Sequence, residues 1–148
     1  KSAANYSNAA LARMEALNAG YDEAIMLNNK GNVAEGSAEN IFVVKNGKIT
    51  TPPLNADILD GITRDSAIKL LKNDKQKIIE KDLKINDLLK ADEIFMTGTA
   101  AEVKSVTRVN KTKIGNGKIG PITKNLQESF IDTVMGNNKK LRSWLKFI

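Results

Sequence analysis

Cysteine and histidine are both absent from the 148 residues, and each absence removes chemistry. A Ser-His-Asp triad, a cysteine nucleophile, an iron–sulfur cluster and the usual zinc sites all lose an essential ligand or base. No disulfide framework is available, which fits a reducing compartment. Aromatic residues make up only 5% and prolines number three. No apolar run approaches the roughly 18–20 residues that a membrane-crossing helix needs. The first residues are polar and small, without the apolar stretch of a secretory signal. These absences lead us to expect a soluble cytoplasmic protein folding as a single domain over residues 1–148.

What is present is lysine. The 23 basic residues outnumber 17 acidic ones, for a net charge of +6, yet only Arg13, Arg64, Arg108 and Arg142 are arginines. Nucleic-acid readers favour arginine forks and aromatic stacking platforms. Here the lysines are spread along the chain and aromatics are scarce. We read the charge as a solvated surface and expect no nucleic-acid partner and no membrane partner.

Apolar spacing predicts a helix over 8–19 (Leu11, Met14, Leu17), stopped by Gly20. Extended segments follow at 23–27 and 33–35. The run Ile41–Val44 enters Asn46-Gly47, a strong hairpin signal, and returns as 48–51 before Pro52-Pro53. The first half thus reads as a helix feeding an antiparallel meander. Further on, a helix is predicted over 63–71, a strand over 77–81 and a short helix over 85–90 capped by Asn86 or Asp87. Strands are predicted at 93–96 and 103–109. Pro121 opens a last helix bearing Leu126, Phe130 and Val134. The expected fold class is α+β, or mixed α/β.

Four segments are candidates for chemistry. Gly115–Gly120 spells G-x-G-x-x-G, but polar residues precede it and Pro121 follows, so the strand–turn–helix context of a dinucleotide site is missing and a plain turn is expected. Gly61-Ile62-Thr63-Arg64-Asp65 places glycine and a hydroxyl at a helix N-terminus, where free N–H groups suit a phosphate, although taken alone Thr63 as an ordinary cap is the favoured reading. Thr97–Ala101 joins two strands through small residues, permitting a close ligand or merely a tight bend. The segment 33–40 carries two carboxylates, Glu35 and Glu39, between two strands. No metal site is expected.

Taken in order, these motifs closely resemble the branched-chain amino acid aminotransferases, class IV pyridoxal-phosphate enzymes of fold type IV. The resemblance rests on Lys1–Tyr6 (KSAANY), Glu15-Ala16, Gly20–Ala24, Ala34–Phe42 (AEGSAENIF), Thr51-Pro52-Pro53, Leu59 with Gly61–Asp65, Ala91-Asp92-Glu93, Gly98–Glu102 and Gly117–Thr123. It runs from the first residue to about Phe130. It implies the family's large C-terminal domain, a pseudo-barrel sheet flanked by helices, with pyridoxal 5′-phosphate as cofactor.

The resemblance also implies residue roles. Lys1 corresponds to the catalytic Schiff-base lysine that holds the cofactor and moves the proton between Cα and C4′. Glu35 corresponds to the carboxylate on the pyridine nitrogen, and Tyr6 to the phenol on O3′. Leu59 would pack on the ring. Gly61, Ile62 and Thr63 would hold the phosphate, with Thr99 a further phosphate ligand. Thr99, Ala100 and Ala101 would offer N–H groups to the substrate α-carboxylate.

The implied reaction is ping-pong transfer of the amino group of Leu, Ile or Val to 2-oxoglutarate, so the implied partners are small amino acids and 2-oxo acids. D-amino-acid aminotransferases and aminodeoxychorismate lyases share the fold and differ around Gly98–Ala101. A non-enzymatic basic binding domain is the alternative from another class. The family's N-terminal domain, with its phosphate-gripping arginine, is expected to lie outside this chain, either cut away or on another polypeptide. The isolated chain is therefore expected to be inactive and the complete enzyme a homo-oligomer.

Overall fold

The fold is described from a computed structural model, which covers residues 3–146. A 3-10 turn (Ala3–Tyr6) leads into helix α1 (Ser7–Asn18), then a ribbon of β1 (Ile25–Leu27) and β2 (Val33–Gly36). Next come β3 (Asn40–Lys45), β4 (Lys48–Thr51), helix α2 (Ile62–Asn73), β5 (Ile78–Glu80) and short helix α3 (Ile85–Leu89). The chain continues through β6 (Glu93–Gly98), β7 (Glu102–Val106), a small ribbon β8 (Arg108–Val109) with β9 (Thr112–Lys113), and helix α4 (Pro121–Val134). Lys139–Trp144 closes as a 3-10 helix. Among the described residues no helix is long and apolar enough to cross a membrane.

The main sheet has the order β5-β4-β3-β6-β7, antiparallel except for the parallel β4–β5 pair. Its centre, β3, is apolar on both faces. Ile41 and Val43 join one core with Ile94, Met96, Leu83 and Leu88, while Phe42 and Val44 join a second with Phe95, Ala67, Leu71 and Leu126. Strand alternation explains the split, because successive side chains point to opposite faces. Phe42 and Phe95 sit opposite each other in the register, with ring centroids 4.8 Å apart. Helices α2 and α4 cover the second core, and α3 with the β1–β2 ribbon covers the first.

The α+β expectation holds, with two local corrections. The first-half meander is interrupted: β1 and β2 pair as their own ribbon, and only β3 and β4 enter the main sheet. The β1–β2 ribbon carries a register shift between Ile25 and Leu27, and the Ser37–Glu39 turn separates β2 from β3. The cap of α3 is Lys84, whose N–H donates to the Asp87 carboxylate at 2.7 Å. Asp87 thus works from the third helical position by reaching back, and Asn86 is simply inside the helix. The Asn46-Gly47 hairpin forms as read, with φ of 49° and 70° at its two central residues.

The antiparallel pairings bring one set of strand ends together. Asn40 at the start of β3 pairs with Thr97 near the end of β6, and β4 ends at Thr51 on the same side. The Thr51 hydroxyl donates to the Ile41 carbonyl at 2.8 Å. Buried Arg64 donates to the Pro52 carbonyl at 3.1 Å and to Glu80 at 2.8 Å, which fixes the first turn of α2 to this end. The candidate site lies here.

Candidate active site

Tyr6, Glu35, Ser37, Asn40, Asp57 and Leu59 line a cavity of about 300 Å³ at this end. Glu35 projects from β2, half-buried. One of its oxygens, Oε2, accepts from the Asn40 side-chain amide at 2.9 Å and from the Leu59 N–H at 3.0 Å. The other, Oε1, has no partner among the described residues. Burial pushes the Glu35 carboxyl above its ordinary range, and nearby Glu39 adds to this, against the opposing Leu59 N–H. A carboxylate so placed gains most when a cationic N–H arrives.

Glu39 lines the same cavity. Its carboxylate accepts from the Ala38 N–H at 3.2 Å, and burial together with the Glu23 carboxylate raises it. Burial also acts to raise Glu23, but hydrogen bonds from Ser37 and Ala24 and the charge of Arg13 prevail and hold it low. Arg13 pairs with Glu23 at 2.5 Å.

Helix α2 starts beside the cavity at Gly61. Its first ladder bond is Asp65 N–H to the Gly61 carbonyl at 3.0 Å, so the Ile62, Thr63 and Arg64 N–H groups stand outside the ladder. A contrast comes from α4, which also begins after a glycine. There the buried Glu93 carboxylate accepts from Ile122 N–H (3.1 Å), Thr123 N–H (2.8 Å) and the Thr123 hydroxyl (2.8 Å). Among the described residues no side chain caps α2 in this way. Ile62 points outward at 85% exposure, whereas Thr63 is buried.

Of the residues singled out from sequence, the structure gathers Tyr6, Glu35 and Leu59 around one cavity and places Gly61–Thr63 next to it through Asn40. Thr99, Ala100 and Ala101 form the turn after β6, the first two exposed and Ala101 half-buried. They do not line the cavity, but Gly98 packs on its rim, where an added Cβ would sit 3.1 Å from both the Ala38 carbonyl and Glu39 Cγ. Lys1 lies outside the described residues. The Gly115–Gly120 segment is a turn, with Gly115 at φ 53° and Gly117 at φ 77°. Among the described residues no cluster of carboxylates suited to a metal occurs.

Sequence reasoning missed Asn40, Ser37 and Asp57 as members of the site. Asn40 had a signal: a polar residue opening the apolar run 41–44 is buried and must find partners. Nothing in the sequence marked Asp57, which reaches the site through a left-handed backbone (φ 63°).

A cofactor with an acidic phosphate, a cationic ring N–H and a flat ring fits these residues. The α2 N-terminus offers uncommitted N–H groups, Glu35 offers an uncommitted carboxylate oxygen, and Leu59 offers an apolar side chain. The fold and this site together define a class, and the amino-transferase class IV family model matches residues 2–109. The chain belongs to that family. It is 53% identical over 146 residues to a probable branched-chain-amino-acid aminotransferase of Aquifex aeolicus, covering 98% of this chain and 47% of that protein. It is 44% identical over 144 residues to the branched-chain-amino-acid aminotransferase of Pseudomonas aeruginosa, covering 97% and 47%. The branched-chain amino acid aminotransferase of Thermobaculum terrenum, solved in its PLP-form, superposes with a TM-score of 0.96 at 37% identity, covering 99% of this chain and 48% of that one. The chain therefore spans about half the length of the relatives it matches.

Proposed function

We propose that residues 1–148 form the cofactor-bearing domain of a pyridoxal 5′-phosphate-dependent branched-chain amino acid aminotransferase. The observation that carries this is the half-buried Glu35 carboxylate, held on one oxygen and without a partner on the other among the described residues, in a cavity beside the N-terminus of α2. The relatives' names and the PLP-form of one of their structures support the same reading.

Pyridoxal phosphate, when bound, supplies an electron-accepting ring and a carbon that carries the amino group between substrates. Glu35 holds a proton on the ring nitrogen by charge-assisted hydrogen bonding. The Ile62 and Thr63 N–H groups, in the first turn after Gly61, bind the phosphate at the positive end of the α2 dipole. Thr99 adds a further phosphate contact, and the Thr99–Ala101 turn orients the substrate α-carboxylate. Tyr6 donates to the ring oxygen, and Leu59 packs on the ring and excludes water from one side. Lys1 holds the cofactor through its Nζ and takes and returns the substrate's Cα proton. The amino group passes from Leu, Ile or Val to 2-oxoglutarate in two half-reactions. The complete enzyme, with the part that relatives carry beyond this match, is a cytoplasmic homo-oligomer.

The test is transamination by the full-length protein with L-leucine and 2-oxoglutarate, followed by absorbance of the cofactor. Activity that disappears in Lys1→Ala is expected. Turnover retained in Lys1→Ala without added amine would overturn the assignment.

A further inference from the structure

We propose that Asn40 is a positioning residue for the cofactor site: its side chain fastens the ring-nitrogen carboxylate, the loop around Leu59 and the start of α2 into one body. The inference rests on the reading of Glu35 given above. A single nitrogen, Asn40 Nδ2, donates both its protons, to Glu35 Oε2 at 2.9 Å and to the Leu59 carbonyl at 2.8 Å. The Leu59 N–H donates back to the same Glu35 oxygen at 3.0 Å. Three groups from β2, β3 and the 52–61 loop thus close a small ring of hydrogen bonds.

The other end of the amide reaches the helix. A Cβ built on Gly61 would lie 2.1 Å from Asn40 Oδ1 and 3.3 Å from its Cγ. Gly61 has φ −80° and ψ 132°, an ordinary extended conformation, so its backbone does not require glycine. The requirement is space for Asn40. An atom at the end of a loose side chain would move aside, but this amide is buried, at 4% exposure, and held by two bonds.

Chemistry follows from the arrangement. Donation to Oε2 favours the ionised form of Glu35, offsetting burial and the Glu39 charge. It also fixes which oxygen is occupied, so that Oε1 is the one left for a ring N–H. Asn40 touches none of the reacting atoms and acts through Glu35 and through the backbone that presents Leu59 and α2.

The variants are Asn40→Asp, which keeps the shape but loses the donor, and Gly61→Ala, which leaves Asn40 in place and crowds it. The first readout is ¹³C-carboxyl NMR titration of Glu35 in the cofactor-free full-length protein, assigned by the resonance missing in Glu35→Gln. Both variants are expected to move the Glu35 titration upward, by about one pH unit in Asn40→Asp, where a like charge replaces the donor. The second readout is the ¹⁵N shift of the cofactor ring nitrogen in the loaded protein, which is expected to move toward the unprotonated value. A folded Asn40→Asp or Gly61→Ala protein in which Glu35 titrates as in wild type overturns the proposal. A ring-nitrogen shift unchanged in Glu35→Gln overturns the Glu35 reading, and this inference with it. A shift that Glu35→Gln moves and neither other variant moves overturns the role of Asn40 alone.

Discussion

Glu35 and Glu39 sit four residues apart and line one cavity, but only Glu35 is tied through Asn40 to the Leu59 loop and the start of α2. Neutralising Glu35 with Gln removes a charge-assisted hydrogen bond worth about 2–3 kcal/mol, which corresponds to roughly a 30- to 150-fold slower reaction. The loss should fall on transamination more than on cofactor affinity, because ring protonation matters most as negative charge develops. Glu39→Gln should have a much smaller effect, and single-turnover kinetics of both variants at saturating cofactor will compare them. The same Glu35 substitution has a second signature in the cofactor-free protein. Burial, with the Glu39 charge, raises the folded carboxyl of Glu35 above its unfolded value of 4.5. The folded state therefore holds this proton more tightly, and the stability it contributes is lost as pH rises through the folded value. The melting temperature of Glu35→Gln relative to wild type should climb from pH 4.5 across that window and then level off; a difference that is flat or falls with pH contradicts the account. At this scale the sequence named Glu35 but could not show its partners. Asn40, Leu59 and Glu35 are up to 24 positions apart, and only folding brings them within hydrogen-bond distance.

Helices α2 and α4 both start after a glycine that is fixed by a neighbour and not by φ. Gly120 leaves no room for a Cβ, which would fall 2.0 Å from Glu93 Cδ. Glu93 in turn satisfies three donors at the first turn of α4, and α4 seals one core with fully buried Leu126. Glu93→Ala should destabilise the protein by about 2–3 kcal/mol, the cost of stranding buried donors. Glu128→Ala breaks only an exposed pair to Lys124 at 4.0 Å, and its effect should stay within about 0.5 kcal/mol. Urea unfolding of the two variants checks the difference. Elements were legible where local signals dominate: the Asn46-Gly47 turn, the glycine–Pro121 start of α4 and the apolar run of β3 all appear as read. The β1–β2 departure and the cap of α3 were not, since both depend on tertiary pairing or on a side chain reaching back across a turn.

At the scale of the molecule, the feature that spacing could not foretell is what α1 faces. Leu11, Met14 and Leu17 lie at helical intervals, yet they are 64%, 59% and 52% exposed, and α1 buries no residue. Periodicity reports that a helix has an apolar stripe, not where the covering surface comes from. Relatives about twice as long as this chain carry a further stretch of comparable size beyond the match. The family itself was legible because its motifs depend on backbone approach and charge, which short sequence segments encode. The cavity was not, because it is built by strand ends that the β3–β6 and β3–β4 pairings bring together.

The central claim is that this chain carries the cofactor, with Lys1 as its attachment point. Borohydride treatment of the pyridoxal-phosphate-loaded full-length protein fixes the cofactor to whichever amine holds it, and peptide mass spectrometry then locates that amine. The account predicts a phosphopyridoxyl group on Lys1, lost in Lys1→Ala and retained in Glu35→Gln. A label on any other lysine of the chain, or none on residues 1–148, would contradict it.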